Sequence, residues 1–180
     1  VLLSGTHEMA AHKSGSERPI LYIFSGLPGS GKSTLSQLVA QQLRAVYLRI
    51  DTIEQGLREL CSFDVHSEGH SPASRIASET LRIGLSVIAD SCNPIELTRR
   101  EWEQVANEAG ADYVNIEIIC ADTSEHRLRA ETRAIEVSEL KLPTWSEIEN
   151  REYQDWTVDR VIVNTAGRSK EKCASELLSK

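Results

Sequence analysis

The chain has 180 residues, of which 40% are hydrophobic and 26% are charged, and its formal net charge is −7 at pH 7. This balance is typical of one globular domain with a substantial core, and the acidic excess disfavours a surface that holds duplex nucleic acid. The four cysteines have no paired spacing, so the sequence predicts no disulfide framework or zinc knuckle and favours a reduced, cytoplasmic protein. No apolar run approaches the roughly 20 residues of a membrane-spanning helix, so we expect a small-molecule partner rather than a membrane.

Residues 1–18 mix small, polar and charged types without a sustained period, and we expect a mobile tail there, followed by one domain over 19–180. From Pro19 onward, short β-branched or apolar runs alternate with longer segments of helical period, which is typical of βαβ units around a parallel sheet. The predicted strands cover 20–25, 45–50, 85–90, 113–119 and 159–164. The predicted helices cover 31–43, 52–60, 73–83, 94–109, 123–135, 145–155 and 169–179, and the weakly patterned stretch 61–72 is predicted to be a loop. The predicted fold is a three-layer α/β fold with a five-stranded parallel sheet between helices.

Two of the predicted helices begin at capping signals. Asn93, Pro94 and Glu96 fit an N-cap, a first-position proline and the acidic residue of a capping box. Thr144 and Glu147 have the same box spacing, which predicts a helix start at 145.

The first predicted strand runs directly into a glycine-rich segment, GLPGSGKS at 26–33, which has the spacing G-x-x-x-x-G-K-[ST] between a strand and a helix. Glycines allow successive backbone N–H groups to face a phosphate, and the helix N-terminus adds partial positive charge. We expect Lys32 to reach the terminal phosphates of ATP and the Ser33 hydroxyl to bind Mg²⁺. The residues of this segment expected to bind the nucleotide are Gly26, Pro28, Gly29, Ser30, Gly31, Lys32, Ser33 and Thr34. The alternative is an ordinary glycine-rich turn without a ligand.

The rest of the chain separates the classes of protein that use such a loop. No Asn-Lys-x-Asp string that would read guanine occurs, no glycine-rich signature of an ABC-type ATPase is present, and the chain is too short for a motor or an unfoldase. A short phosphate-binding domain with nothing added favours a kinase that transfers phosphate to a small acceptor.

Asp51 directly follows the second predicted strand. Ligands of open parallel sheets bind at the carboxyl ends of the strands, so we expect this side chain to face the phosphate crevice and to orient or deprotonate an acceptor hydroxyl. Arg58 lies two helical turns further on, on the same face, and is expected to bind the polar substrate. The alternatives are a helix cap at Asp51, with Glu54 at the boxed position, and a solvated surface role for Arg58.

Asp90 ends the apolar run of the third predicted strand, where a P-loop enzyme places the acid on the Mg²⁺ side. Because a buried strand rarely ends in an unpartnered charge, we expect Asp90 to contribute to the metal and substrate site. Asn93 fits a helix cap first and a substrate contact second. Arg99 lies near the start of the next helix, where an anionic substrate or an ion pair with Glu96, Glu101 or Glu103 would stabilise it.

Arg129 and Arg133 are one turn apart in a predicted helix, and like charges at this spacing repel unless an anion lies between them. We expect both to neutralise the charge of the transferred phosphate, on a lid over about 127–143 that excludes water. A plain ion pair between Glu125 and Arg129 is the alternative. Arg168 follows the last predicted strand, where it is expected to stack over the adenine.

Five segments of the chain, GLPGSGKST, RIDTIEQGLR, VIADSCNPIELTRREW, SEHRLRAETR and PTWSEIENREYQDW, resemble the small P-loop kinases of the AAA-like ATP-binding kinase group. That group is related to polynucleotide kinase, chloramphenicol phosphotransferase, gluconate kinase and adenylylsulfate kinase, and the resemblance covers about 19–180. It implies a nucleoside-monophosphate-kinase-like core, ATP and Mg²⁺ as cosubstrates, and an arginine-bearing lid. The roles it implies by position are phosphate and metal binding by Lys32 and Ser33, an acceptor-side acid at Asp51, the acid of the third strand at Asp90, and lid arginines at Arg129 and Arg133.

Three hypotheses follow from the sequence. The first is an ATP- and Mg²⁺-dependent kinase that transfers the γ-phosphate to a hydroxyl of a small polar metabolite or antibiotic-like molecule. The second is a kinase of nucleic-acid 5′-hydroxyl ends, which the acidic composition disfavours. The third is an ATP-binding regulatory module that hydrolyses ATP slowly or not at all. The sequence leaves the acceptor and the oligomeric state open.

Overall fold

The computed structural model describes residues 18–61, 69–133 and 142–180. The predicted tail lies outside these ranges except for Arg18, and so do residues 62–68 of the predicted loop and 134–141 of the predicted lid. Within the described ranges, no helix has the length and apolar character needed to cross a membrane.

The centre of the fold is a five-stranded sheet in which all neighbouring strands are parallel. The strands are β1 (Ile20–Ser25), β2 (Val46–Arg49), β3 (Val87–Asp90), β4 (Asp112–Ile119) and β5 (Val161–Asn164). Their order across the sheet is β2-β3-β1-β4-β5, which places β1 in the middle. Phe24 of β1 lies in register with Asp90 of β3 and Ile116 of β4, so the carboxyl ends of these strands share one edge of the sheet.

Helices cover both faces of this sheet. The described helices are α1 (Lys32–Leu43), α2 (Ile50–Cys61), α3 (His70–Arg82), α4 (Glu96–Ala109), α5 (Thr123–Thr132), α6 (Trp145–Glu149) and α7 (Lys170–Leu178). Buried residues of α1 and α7 form one apolar cluster with the sheet, and buried residues of α2, α3 and α4 form a second cluster. The predicted three-layer α/β fold is confirmed.

Strand β1 contributes to both apolar clusters. Leu21 and Ile23 are fully buried in the cluster that contains α3 and α4, whereas Phe24 is fully buried in the cluster that contains α1 and α7. Successive strand residues point to opposite faces, so a strand covered on both sides has a continuous apolar sequence. This explains the uninterrupted ILYIFS run and places the following glycine-rich loop at the carboxyl edge of the sheet.

Helix α3 begins at His70, three residues before its predicted start, so 70–72 of the predicted loop is helical. Pro72 stands in the first turn of α3, where a backbone N–H has no partner within the helix. A proline is therefore tolerated at this position.

The capping prediction for α4 is wrong. The N-cap is Ile95, and its side chain makes no capping hydrogen bond. Asn93 instead has a φ of 43° and donates from its side-chain amide to the Phe24 carbonyl at 3.0 Å. The first backbone N–H of α4, at Glu96, is satisfied by the side chain of Gln154 at 2.8 Å, a partner that is 58 residues away in sequence.

The capping box of α6 is confirmed, with Thr144 and Glu147 bonded reciprocally, but the helix ends at Glu149 instead of the predicted 155. The backbone N–H of Gln154 donates to the Pro94 carbonyl at 2.8 Å, a bond to the segment before α4 that a continued helix would not make. A long-range contact has therefore overridden the local helical pattern.

Candidate active site

The loop between β1 and α1 follows a path that glycine permits. Gly26, Gly29 and Gly31 have φ values of 140°, 87° and 93°, a region that other residues adopt only with strain. A Cβ on Gly26 would lie 2.3 Å from the Ile118 carbonyl oxygen of β4. The N-cap of α1 is Gly31, and no side chain satisfies the first N–H groups of that helix. These groups and the helix dipole fit an anionic phosphate.

Lys32 and Asp90 form a buried ion pair where the loop meets the sheet. Lys32 Nζ donates to Asp90 Oδ1, and only 9% and 0% of the two side chains are exposed. The phenol of Tyr47, on β2, donates to the other carboxylate oxygen of Asp90 at 2.6 Å. The carboxylate is therefore held from two sides by neighbouring elements.

The pair stays charged despite its burial. Burial alone raises the pKa of Asp90, but the charge of Lys32 and hydrogen bonds from Lys32, Tyr47 and Ser33 lower it below its ordinary value. Burial lowers the pKa of Lys32, and Asp90 more than offsets that effect. Burial and the same carboxylate raise the pKa of Tyr47 above its ordinary value, so its hydroxyl remains a donor.

Ser33 and Asp90 are the residues that fit a bound Mg²⁺. The Ser33 hydroxyl helps to hold the pKa of Asp90 below its ordinary value, and both residues carry hard oxygen donors. In the described part of the chain, no group of three or more His, Cys, Asp or Glu residues could hold a metal ion. Mg²⁺ needs no such group where one or two protein oxygens are joined by substrate phosphates and water.

A cavity of about 1110 Å³ opens in front of Lys32. This exceeds the usual 300–1,000 Å³ of a single-ligand pocket, so it has room for a nucleotide and a second substrate. The predicted site residues that line it are Pro28, Gly29, Gly31, Lys32, Ser33, Thr34, Asp51, Arg58, Arg129, Arg133 and Arg168. The predicted site residues that lie outside its lining are Gly26, Ser30, Asp90, Asn93 and Arg99.

Comparison with known proteins agrees with this geometry. A family model described as an AAA domain matches residues 21–151, which is well over half of the chain and includes the glycine-rich loop and Asp90. The chain belongs to this AAA domain family. The predicted membership of a small P-loop kinase group is confirmed, because its relatives and structural neighbours include adenylyl-sulfate kinase and gluconokinase.

The adenylyl-sulfate kinase of Synechococcus sp. (strain JA-3-3Ab) is 34% identical over 97 residues, which cover 48% of this chain and 53% of that protein. The match therefore spans about half of the curated relative. Among solved structures, the APS kinase of Mycobacterium tuberculosis in complex with AMPPNP and APS superposes with a TM-score of 0.66 at 24% identity, covering 91% of this chain and 98% of that one. A gluconokinase from Sinorhizobium meliloti 1021 gives 0.63 at 16% identity, covering 91% and 92%. At these identities the structures establish a shared fold.

In this AAA domain, Arg129 ties helix α5 to the segment after β5. Its guanidinium donates to the Thr165 hydroxyl at 2.8 Å and carbonyl at 3.1 Å, and to Glu125 at 2.5 Å. The ion pair with Glu125 is therefore formed, and Arg129 also lies beside the glycine-rich loop, since a Cβ on Gly31 would be 3.9 Å from its Nη1 atom. Arg133 lines the same cavity, but α5 ends at Thr132, so Arg133 caps the helix in extended conformation instead of continuing it.

Asp51 and Arg58 lie on helix α2, which begins at Ile50 without an intervening loop. The Asp51 carboxylate is about half exposed to the cavity and lies 3.9 Å from Arg49. Arg58 pairs with Glu54 at 3.4 Å, also on the cavity wall. The structure therefore brings the predicted acceptor-side residues together on one helix, facing the glycine-rich loop.

The expectation that Arg99 binds an anionic substrate is wrong. Its side chain is 2% exposed and its guanidinium donates to four main-chain carbonyls, those of Asn93, Pro94, Gln154 and Asp155. The guanidinium also stacks 4.1 Å from the centre of the Trp156 ring. The predicted ion pairs are not formed either, and the fully buried Asn93 likewise serves the packing of this region.

Arg168 lines the cavity beside the segment that follows β5. It donates to the Asn164 carbonyl at 3.0 Å and to Glu176 at 2.5 Å, which fixes the guanidinium against α7. Stacking over an adenine stays a prediction.

Three side chains of the site were not assigned to it from the sequence. Tyr47 holds Asp90, His70 lines the cavity with its ring nitrogen 3.5 Å from the Ser91 hydroxyl, and Arg151 lines it beside Cys92. A hydroxyl-bearing aromatic within an apolar strand is the signal for Tyr47. His70 and Arg151 carry no local signal, because α3 and the segment after α6 reach the cavity only through the tertiary fold.

Proposed function

We propose that this AAA domain is an ATP- and Mg²⁺-dependent kinase that transfers the γ-phosphate of ATP to a hydroxyl group of a small polar metabolite or antibiotic-like molecule. The observation that carries the proposal is the buried contact of Lys32 with Asp90 at the floor of a cavity large enough for two substrates. A charged lysine beside a glycine-rich helix start is the arrangement that holds the phosphates of ATP, and the second half of the cavity leaves space for an acceptor.

The nucleotide half of the cavity has the donors that a triphosphate needs. The glycine-rich backbone and the uncapped start of α1 bind phosphate oxygens, and Lys32 neutralises the charge that develops on the transferred group. Arg129 and Arg133 add positive charge from the cavity wall. Ser33 and Asp90 would hold Mg²⁺, which when bound would supply charge neutralisation at the phosphates.

The acceptor half contains a carboxylate, the kind of group that positions or deprotonates the attacking hydroxyl in phosphoryl transfer. Asp51 lines the same cavity as the glycine-rich loop, and its carboxylate orients the acceptor hydroxyl or takes its proton. The relatives named above are kinases of small molecules, which supports a small acceptor here.

The test is ADP release from Mg-ATP over a panel of hydroxyl-bearing metabolites, nucleosides, aminoglycosides and short 5′-hydroxyl oligonucleotides, with Lys32→Ala as the blank. We expect one small-molecule class to raise the rate well above its Lys32→Ala control. Stimulation by the oligonucleotides alone would favour the nucleic-acid kinase. A flat panel with confirmed ATP binding would contradict the proposal and favour a nucleotide-binding regulatory module.

A further inference from the structure

We propose that Arg151 is the anion-binding residue of the acceptor half of the cavity, so that the acceptor carries a carboxylate, phosphate or sulfate group in addition to its hydroxyl. This inference rests on the proposed kinase function and narrows its substrate class. It begins from the position of a single guanidinium group that the sequence analysis did not single out.

Arg151 follows helix α6 by two residues and lines the cavity. Its Nη1 atom is 4.0 Å from the Sγ atom of Cys92, and the Cys92 carbonyl accepts a hydrogen bond of 3.1 Å from the backbone of Gly26. Cys92 is the second residue after Asp90. The guanidinium therefore stands at the carboxyl end of β3, close to the root of the glycine-rich loop and to the acid of the predicted metal site.

The immediate neighbour of Arg151 is a sulfur atom and not a carboxylate. Its guanidinium contacts Cys92 Sγ at 4.0 Å, and sulfur is a weak hydrogen-bond acceptor. Within 18–61, 69–133 and 142–180, no carboxylate lies within ion-pair distance of Arg151. By contrast, Arg129 and Arg160 each contact a carboxylate within 2.6 Å. A cation at a cavity wall without a carboxylate partner favours an anionic ligand.

The backbone that carries Arg151 is fixed by a buried side chain. After α6 the chain has no regular structure until β5, yet Arg99 binds the carbonyls of Gln154 and Asp155 and stacks on Trp156. The Gln154 N–H adds a bond to the Pro94 carbonyl. Arg99 is thus a positioning residue, which holds this segment against α4 and so fixes where Arg151 enters the cavity.

The hydroxyl-binding and anion-binding groups border the same space. Lys32, Asp51 and Arg151 all line the one cavity, and so does Cys92, which Arg151 contacts. An acceptor whose hydroxyl meets Asp51 near Lys32 then extends its anionic group to Arg151. The whole chain carries a net charge of −7, so its overall field repels anions and a local cation is needed to hold one.

A binding experiment tests this subsite without any turnover. The full chain, saturated with Mg-AMPPNP to fill the nucleotide half, is titrated with sodium sulfate at constant ionic strength, and binding is followed by tryptophan fluorescence and by the melting temperature. We expect saturable binding that weakens about tenfold or more in Arg151→Ala and Arg151→Gln, and less in Arg151→Lys. Arg127→Ala is the matched control, because Arg127 is an exposed arginine paired with Glu131 outside the cavity.

Equal sulfate affinity in Arg151→Ala and wild type, or no saturable binding in wild type, would overturn the subsite. An equal loss of sulfate affinity in Arg127→Ala would show that the effect comes from long-range charge, and this would also overturn the subsite. If Arg151→Ala and Arg151→Gln lose their folded circular dichroism spectrum, the sulfate affinity of Arg151→Lys tests the subsite. This variant retains the charge and loses the paired donors of the guanidinium group.

A kinetic arm uses pairs of hydroxyl compounds that differ by one anionic group, such as gluconate with glucose and glycerate with glycerol. We expect the anionic member to be the better acceptor, and Arg151→Ala to raise its KM about tenfold with kcat within about twofold. A fall in kcat with unchanged KM would overturn the assignment and place Arg151 on the transferred phosphate. Absence of turnover with all acceptors would count against the kinase function, while the sulfate titration still decides the anion site.

Discussion

The two halves of the cavity differ in whether main-chain atoms or side chains line them. The proposed nucleotide half is lined mainly by backbone, with three glycines of positive φ, an uncapped helix start and a close approach of Gly26 to the main chain of β4. The acceptor half consists of long charged side chains that come from α2 and from the segment after α6. A triphosphate is the same in every kinase and is held by main-chain donors, whereas an acceptor differs between kinases and is selected by side chains.

The difference also lies in how each half is supported. The glycine-rich loop connects a central strand to a helix, both close in sequence, so its geometry follows from local structure. The acceptor half depends on contacts such as Arg99 to Asp155 that join residues more than 50 positions apart. We therefore expect substitutions in the nucleotide half to act mainly on the chemical step. Substitutions in the acceptor half should act mainly on how the surrounding residues are positioned.

The largest effect is expected for Lys32→Ala. Loss of the charge that stabilises the transferred phosphate should lower acceptor-dependent ADP release about 10³-fold. The variant also leaves Asp90 buried without its partner, which destabilises the fold by about 3–5 kcal/mol. The double variant Lys32→Ala/Asp90→Asn should regain stability in urea denaturation without regaining activity. Restored activity in the double variant would contradict the role of Lys32.

Arg99→Met is expected to act on the fold. Four main-chain carbonyls lose a buried donor, so the free energy of unfolding should fall by about 3 kcal/mol. The neighbouring Arg100→Met is the control, because Arg100 is exposed and pairs with Glu96 on the helix surface, and little change is expected there. Urea denaturation of both variants measures the contrast. Similar losses in the two variants would show that the buried network is not what stabilises this region.

Tyr47→Phe should affect the metal requirement. Removing the phenol frees one oxygen of the Asp90 carboxylate from a 2.6 Å hydrogen bond, so the carboxylate is less well oriented. We expect the Mg²⁺ concentration for half-maximal activity to rise about tenfold, with most activity recovered at high Mg²⁺. Tyr113→Phe, the same change on an exposed residue of β4, serves as control. An unchanged Mg²⁺ dependence in Tyr47→Phe would remove Tyr47 from the site.

The smallest effect is expected from the titration of His70. Burial lowers its pKa, against the opposing charges of Glu101 and Asp51. The folded protein therefore binds this proton less readily than the unfolded chain, whose histidine pKa is about 6.5. The stability contributed by the neutral ring is present above about pH 6.5 and is lost as the pH falls through the lower folded value. Urea midpoints at pH 7, 6 and 5 should fall less in His70→Gln than in wild type, and parallel curves would contradict this.

The sequence predicted the parts of the protein whose structure is determined locally. All five strands, the glycine-rich loop and the position of Asp90 follow from patterns within about ten residues, and the structure confirms the strands in place. Asp51 and Asp90 follow two neighbouring strands, so their approach to the loop follows from the parallel topology.

The parts that the sequence did not predict depend on distant partners. Arg99 near a helix start suggested an anionic ligand, yet carbonyls more than 50 residues away bind its guanidinium. Those bonds also ended α6 six residues early and left Asn93 free to bridge to β1 instead of capping α4. The sequence pattern of a single helix does not indicate which distant main-chain carbonyls will accept hydrogen bonds from its side chains.

The order of strands has a consequence for engineering. Strands β2 and β3 are neighbours in the sheet, and the connection between them, residues 50–86, contains α2 and α3, with Asp51 and Arg58 on α2. The pairing of Arg49 with Asp90 fixes the alignment of the two strands independently of that connection. Residues 50–86 therefore form a cassette that could be exchanged between related kinases to change the acceptor, while the phosphate-binding frame of the host stays as it is.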